Sequence, residues 1–245
     1  MRLNLLDLLE RRKRVSRFGL YARIYREVVE SRVDLGDFYN MFRRSFKGGI
    51  NVVAVVGPKG VGKSALSLLI LYTLFGTAVK DYDELSTAVL DHVYFDPHEL
   101  MTHVTEYVPA DVRERVVAVV LDDAGVWLSG FAYVMDRVRY VAMRSLFQLA
   151  RSHFANIILT LPSLKELPKS VRPELSHIIQ CSMHHPTGGG FVVKVYTVMH
   201  SVVTTYLKLT YATNVYYARL FSVIGDIYKM YEVMRSLLYT SDAAD

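Results

Sequence analysis

The chain has 245 residues and a net charge of +5, and 51% of its residues are apolar, which is the composition of a globular protein. That length favours one domain with extensions over two full domains. The single cysteine, Cys181, excludes an internal disulfide framework and a cysteine-based zinc site, so we expect a reducing, cytoplasmic setting.

The apolar runs are too short for a membrane span. The longest, around residues 65–79, contains Ser67 and Thr73, and a helix needs about 20 apolar residues to cross a bilayer. The N-terminus has charges inside its apolar stretch and no small-residue cleavage site, which argues against a secretory signal. We therefore predict no transmembrane segment.

The first predicted unit is a basic helical segment over residues 1–47, where apolar residues recur at helical spacing. Residues 1–50 carry twelve Arg and Lys against six Asp and Glu. Their net charge of +6 exceeds that of the whole chain, so attraction to a polyanion should concentrate there. The alternative for this segment is a solvated amphipathic helix packed on the core.

The second predicted unit is an α/β core over residues 48–200, a three-layer sandwich with a mainly parallel sheet. Apolar runs at 50–56, 116–121 and 156–160 are typical of strands buried on both faces. Alternation of such strands with helical patterns favours a sheet covered on both sides. The other expected elements are helices at 37–46, 63–75, 97–107 and 137–153 and strands at 92–95, 176–183 and 191–199.

The third predicted unit is a C-terminal helical segment over residues 201–245. From about Thr204 to Tyr239 the spacing of Leu, Tyr, Val and Met is read as helical. Its many tyrosines could stack nucleic-acid bases. A helix-packing core or an oligomer interface is the more common role of such residues.

A phosphate-binding loop follows the first buried strand and opens a helix. Residues 57–64 fit the pattern G-x-x-x-x-G-K-[ST] in full. Glycines let backbone amides curl around phosphates, and the helix N-terminus adds its positive dipole end. The alternative is an ordinary glycine-rich turn. The predicted nucleotide-binding residues are Gly57, Pro58, Lys59, Gly60, Val61, Gly62, Lys63, Ser64 and Ala65, with Lys63 on the β- and γ-phosphates and Ser64 on Mg²⁺.

An acidic pair ends the second buried strand, where residues 116–121 run into Asp122 and Asp123. This resembles the second motif of P-loop ATPases. It predicts that Asp122 holds the Mg²⁺ shell through water and that Asp123 polarises the attacking water. Glutamate is common at the second position, and aspartate reaches less far. The alternative is that the two acids cap the following segment.

Residues 48–200 resemble the additional-strand class of P-loop ATPases, and two branches fit. Residues 94–100 and 121–125 are similar to AAA+ helicase loaders of the DnaC/IstB type and to DnaA-like initiators. Residues 151–163 are similar to HerA/FtsK and zonula-occludens-toxin-like (Zot-like) motors. In that second branch the sensor is usually glutamine and the acid pair usually includes glutamate, so this chain departs from it twice.

The resemblance implies two further site residues. In ATPases with the extra strand, a polar residue at the end of that strand reads the γ-phosphate, and Thr160 fits this role. The alternative is a strand-ending threonine without a role. Such sites are often completed by an arginine from a neighbouring subunit. Arg172 and Arg151 are candidates, although a solvated or helix-capping arginine is the favoured interpretation of each.

The resemblance also implies a function: an ATPase that acts on DNA as a helicase loader, initiator or translocating motor of an archaeal or mobile-element replicon. ATP and Mg²⁺ are the implied cofactors, and the implied assembly is a homo-oligomeric ring or filament with ATP between subunits. Lys63, Asp123, Thr160 and Arg172 are then the catalytic residues, and Ser64 and Asp122 hold the metal. The basic N-terminal segment would contact the DNA backbone.

Two alternatives stay open. The first is a nucleotide-gated assembly or membrane-surface ATPase of Zot-like kind without direct DNA binding, whose basic residues 1–17 dock on anionic lipid. The second is a kinase-like transferase, which is disfavoured because no arginine-rich lid is evident after the core.

Overall fold

The computed structural model describes residues 36–43, 45, 49–97, 99–100, 102, 109, 115–125, 150–167, 169, 171–183, 189–201 and 204–241. The helices predicted within residues 1–35, and most of those predicted at 97–107 and 137–153, lie outside the described residues.

Within the described residues, seven strands form one mainly parallel sheet with helices packed against it. The elements in chain order are α1 (Gly36–Arg43), β1 (Asn51–Val56), α2 (Lys63–Phe75), α3 (Tyr82–Asp91), β2 (Val93–Tyr94), β3 (Val119–Leu121), β4 (Asn156–Leu161), β5 (His177–Met183), β6 (Gly190–His200), β7 (Thr205–Tyr216) and α4 (Tyr217–Ser241). The strand order is β2-β3-β4-β1-β5-β6-β7, and the antiparallel pairings are those of β5 with β6 and of β6 with β7. The predicted α/β fold with a mainly parallel sheet is confirmed.

The central strand β1 is buried along its whole length, as its run of apolar, mostly β-branched residues predicts. Because side chains alternate along a strand, Val53 and Val55 enter the apolar cluster that α2, α3 and α4 share. Val52 and Ala54 enter a second cluster on the opposite face. Both faces of the sheet are therefore covered, which a parallel sheet requires.

The strand β4 lies between β1 and β3 and pairs in parallel with both. Leu121, the last residue of β3, pairs with Leu159, while Val55 of β1 pairs with Thr160. The carboxyl ends of these three strands therefore meet at one edge of the sheet. This register brings the acids that follow β3 beside Thr160 and the loop that follows β1.

Three elements differ from the sequence predictions. The prediction of a helix from about Thr204 is wrong over Thr205–Tyr216. There the chain forms β7, which pairs with β6 along its full length. The helix α3 was not predicted, although Asp81 caps it by accepting a hydrogen bond from the Glu84 amide at 2.8 Å. The predicted strand at 116–121 is shorter, with Val116 in an isolated bridge to Phe154.

The last helix, α4, is part of the core. Its residues Leu220, Ile224, Ile227, Tyr231 and Met234 are at most 2% exposed and lie in the cluster that covers one face of the sheet. Their spacing of three and four residues places them on one side of the helix. None of the helices in the described part of the chain is long and apolar enough to cross a membrane.

Candidate nucleotide-binding site

The loop between β1 and α2 has the backbone that the phosphate-loop pattern requires. Gly62 has a φ of 96°, and a side chain there would meet the Phe191 ring at 2.9 Å. A Cβ at Gly57 would lie 2.3 Å from the Cys181 carbonyl oxygen, so the loop passes against β5 too closely for any side chain. Both glycines are therefore required by the fold of the loop itself.

The other residues of the loop differ in their exposure to solvent. Pro58, Lys59 and Gly60 are exposed, whereas the side chains of Val61 and Ala65 are buried in the core. The buried side chains anchor the loop, so Val61 and Ala65 can offer only backbone groups to a ligand. Backbone amides at a helix N-terminus are the groups that bind phosphate oxygens.

Lys63 begins α2 and curls back over the loop. Its Nζ donates hydrogen bonds to the carbonyl oxygens of Gly57 and Pro58, each at 2.9 Å. Burial lowers the pKa of the Lys63 ammonium, and the nearby Asp123 carboxylate opposes that change. The ammonium thus lies at the loop, next to the acidic pair.

Ser64 and Asp122 meet directly. The Ser64 hydroxyl donates to Asp122 Oδ1 at 2.9 Å, which joins the start of α2 to the end of β3. Hydroxyl and carboxylate oxygens are the ligands that Mg²⁺ prefers, and it is usually held by one or two protein groups together with phosphate and water. These two side chains therefore fit the predicted metal position.

Thr160 holds the acidic pair together. Its hydroxyl donates to Asp122 Oδ1 at 2.7 Å and accepts from the Asp123 amide at 2.8 Å. Thr160 is fully buried at the end of β4. The structure thus places it within the predicted site, where its hydroxyl holds the Asp122 carboxylate and the Asp123 backbone amide; γ-phosphate sensing stays a prediction.

The two acids have different surroundings. Asp122 is 1% exposed, and burial raises the pKa of its carboxyl group despite hydrogen bonds from Tyr231, Thr160 and Ser64. Asp123 is more exposed and has a φ of 49°, an uncommon left-handed conformation for a residue with a side chain. The backbone therefore turns at Asp123 instead of continuing β3.

Two site residues come from α4 and were missed by the sequence predictions. The Tyr231 hydroxyl donates to Asp122 Oδ2, and Arg235 Nη2 forms an ion pair with Asp123 Oδ2 at 2.5 Å. Tyr231 is one of the C-terminal tyrosines for which the sequence indicates base stacking, helix packing or an oligomer interface. The spacing of four residues places both on one helix face, but nothing local in the sequence indicates what that face contacts.

The two arginines predicted to act between subunits form hydrogen bonds or an ion pair away from the acidic pair. Arg172 is exposed and donates to the carbonyl oxygens of Leu167 and Lys165 at 3.0 and 3.3 Å, which secures the turn after β4. Arg151 lies 3.9 Å from Glu174 in an exposed ion pair. These contacts do not bring either arginine to the acidic pair of its own chain, so a role toward a neighbouring subunit stays a prediction.

Comparison with known proteins adds little to this geometry. No protein-family model matches the chain. It is 32% identical over 133 residues to the uncharacterized protein ORF286 of Acidianus two-tailed virus, a match that covers 53% of this chain and 43% of that protein. The chain thus spans less than half the length of this relative. A solved structure, the flagellar accessory protein FlaH from Methanocaldococcus jannaschii, matches 73% of this chain and 98% of its own at 13% identity and a TM-score of 0.36, a level that says nothing about function.

Proposed function

We propose that the chain binds ATP with Mg²⁺ and hydrolyses it, as a P-loop ATPase of the additional-strand class. The observation that carries the proposal is the hydrogen bond of 2.9 Å between Ser64 Oγ and Asp122 Oδ1, with the Lys63 ammonium at the adjacent loop. The fold of an ordinary glycine-rich turn does not require a buried acid beside the first turn of the following helix. The position of β4 between β1 and β3 supports the additional-strand class.

Each residue has a task that follows from its chemistry. The backbone amides of residues 59–63 and the N-terminus of α2 receive the phosphates, and Lys63 neutralises their charge. Ser64 and Asp122 would hold Mg²⁺, which supplies charge neutralisation on the phosphate oxygens when bound. Asp123 orients the attacking water from its less buried position.

The test of this site compares Lys63→Ala with Lys229→Ala, a lysine that is 80% exposed on α4. We expect Lys63→Ala to abolish binding of a fluorescent ATP analogue and Lys229→Ala to bind like the unchanged chain. Asp123→Ala should still bind ATP but stop its hydrolysis. Unchanged turnover in Asp123→Ala would show that the role given to this acid is wrong.

We further propose that the ATPase acts on DNA as a loader, initiator or motor. The support is the net charge of +6 in residues 1–50, since phosphate contacts by Lys and Arg supply most nonspecific affinity for DNA. The viral relative is compatible with a mobile-element replicon. We also propose that this chain acts in the cytoplasm.

DNA and anionic vesicles should be compared as activators of ATP turnover at two salt concentrations. We expect stimulation by DNA that falls steeply as salt rises, because DNA binding releases counterions. Stimulation by vesicles and not by DNA would support the alternative, a Zot-like ATPase on a membrane surface. No response to DNA at low salt would refute the DNA proposal and leave the ATPase proposal intact.

Self-assembly into a ring or filament belongs to the proposal as well. β7 is an edge strand of the sheet, and its side chains Tyr206, Leu207 and Leu209 are each about half exposed. An exposed edge strand with apolar side chains readily pairs with another chain. In such an assembly Arg172 of one subunit would serve the site of the next.

A further inference from the structure

The helix α4 contacts both members of the acidic pair, Asp122 and Asp123. Tyr231 and Arg235 are one turn apart, so both side chains leave the same face of the helix. Tyr231 donates to Asp122 Oδ2 from a position that is 1% exposed, and Arg235 pairs with Asp123 Oδ2 from one that is one third exposed. At the helix start, Tyr217 donates to the Val61 carbonyl oxygen at 3.4 Å. The helix therefore contacts both the phosphate loop and the acids.

We propose that Tyr231 and Arg235 are positioning residues of the active site, each fixing one acid of the pair. The inference rests on the proposed ATPase function and names residues outside its motifs. Tyr231 would set the orientation of the Asp122 carboxylate toward the metal. Arg235 would hold the Asp123 carboxylate where it can orient water.

The hydrogen bonds of Asp122 explain why its orientation depends on Tyr231. Ser64 and Thr160 both donate to Oδ1, and Tyr231 donates to the other oxygen, Oδ2. With donors on both oxygens, the carboxylate plane cannot rotate. The Tyr231 ring is itself fixed, with its centroid 5.5 Å from that of Phe95 in a stacked arrangement and 5.6 Å from that of Tyr228.

Asp123 depends on Arg235 in a similar way. Its backbone is held by the hydrogen bond from its amide to Thr160. Its side chain is about one quarter exposed, so solvent alone would leave several orientations open. The planar guanidinium of Arg235 restricts that choice, because it pairs with carboxylates in a defined geometry.

The packing of α4 argues for positioning and against a removable cover. Among the α4 side chains that the structure describes, five, including Tyr231 itself, are buried in the apolar core. Lifting the helix from the acids would expose all of them to water. The two contacts therefore persist through a catalytic cycle, and their removal should impair turnover rather than release it.

The experiment uses Tyr231→Phe, Arg235→Gln and Arg235→Lys in the full chain. The matched controls are Tyr82→Phe, 44% exposed on α3, and Arg219→Gln, exposed on α4. Each variant is measured for kcat, KM and the Mg²⁺ concentration that half-saturates turnover. Binding of a fluorescent ATP analogue with and without Mg²⁺ gives a readout independent of hydrolysis.

We expect Tyr231→Phe to raise the Mg²⁺ concentration required for both turnover and analogue binding by about tenfold, since loss of a partner of a metal-holding group typically has an effect of that size. Arg235→Gln should lower kcat by about 10- to 100-fold with KM for ATP changed less than about twofold. Arg235→Lys should recover part of the loss. Both controls should match the unchanged chain.

The outcomes separate this inference from the proposed function. If the unchanged chain hydrolyses ATP and Lys63→Ala does not, but Tyr231→Phe and Arg235→Gln behave like the controls, the positioning roles are wrong and the ATPase stands. Faster turnover in either variant would also overturn the inference, because α4 would then be restraining the site. If the unchanged chain binds no ATP, both proposals fall.

Discussion

Replacing Asp122 by asparagine should make the protein more stable while it impairs turnover. The amide keeps Oδ1 as an acceptor for Ser64 and Thr160, and the Tyr231 hydroxyl can turn to accept from the new amide nitrogen. The ion pair of Arg235 is with Asp123 and stays in place. What the substitution removes is a carboxylate charge at a position only 1% exposed.

The sign of the effect follows from the raised pKa of Asp122. A raised pKa means that the folded protein holds the proton more tightly than the unfolded chain does. The contribution of the Asp122 carboxyl group to the free energy of unfolding is fully present below its ordinary pKa of 3.8. That contribution is lost as pH rises through the raised pKa of the folded protein. We expect Asp122→Asn to be more stable at neutral pH, with a change in the free energy of unfolding of about 0.5–3 kcal/mol, the size usual for a single substitution.

The assay is urea unfolding followed by circular dichroism at several pH values from 4 to 8. The stability difference between Asp122→Asn and the unchanged chain should widen as pH rises and then level off. Asp226→Asn, about three-quarters exposed on α4, is the matched control and should change stability by less than about 0.5 kcal/mol. A less stable Asp122→Asn at neutral pH, or a difference that does not change with pH, would refute the reasoning.

Three further predictions follow from the same contacts. Gly57→Ala should weaken binding of a fluorescent ATP analogue and lower stability by about 1–3 kcal/mol, because its Cβ meets the Cys181 carbonyl oxygen at 2.3 Å; unchanged binding would mean that the loop can move freely. Thr160→Val should cost about 1–3 kcal/mol in thermal unfolding, since Asp122 loses a donor and the Asp123 amide an acceptor, and an unaltered Tm would contradict this. If β7 is the interface of an oligomer, replacing both Leu207 and Leu209 by lysine should dissociate that oligomer, as measured by light scattering. An oligomer that persists in this variant would place the interface elsewhere.

The missed strand β7 illustrates where periodicity alone misleads. Its residues Thr205–Tyr216 include Leu and Tyr at intervals that also fit a helix, and the C-terminal prediction extended the helical pattern of α4 into them. The threonines, tyrosines and valine in this stretch favour a strand. Most of β7 is exposed, so no buried face imposes a clear alternation of apolar and polar residues.

The sequence by itself determined the phosphate loop, the acids after β3 and the central strands, because each depends on neighbours in the chain. A buried strand needs a continuous apolar run, and a loop that wraps phosphates needs glycines at set intervals. Only the tertiary structure decided that Tyr231 and Arg235 meet these acids, more than a hundred residues away in the chain. That meeting depends on the packing of α4 across the sheet, and helix packing is a property of whole surfaces that no local pattern encodes.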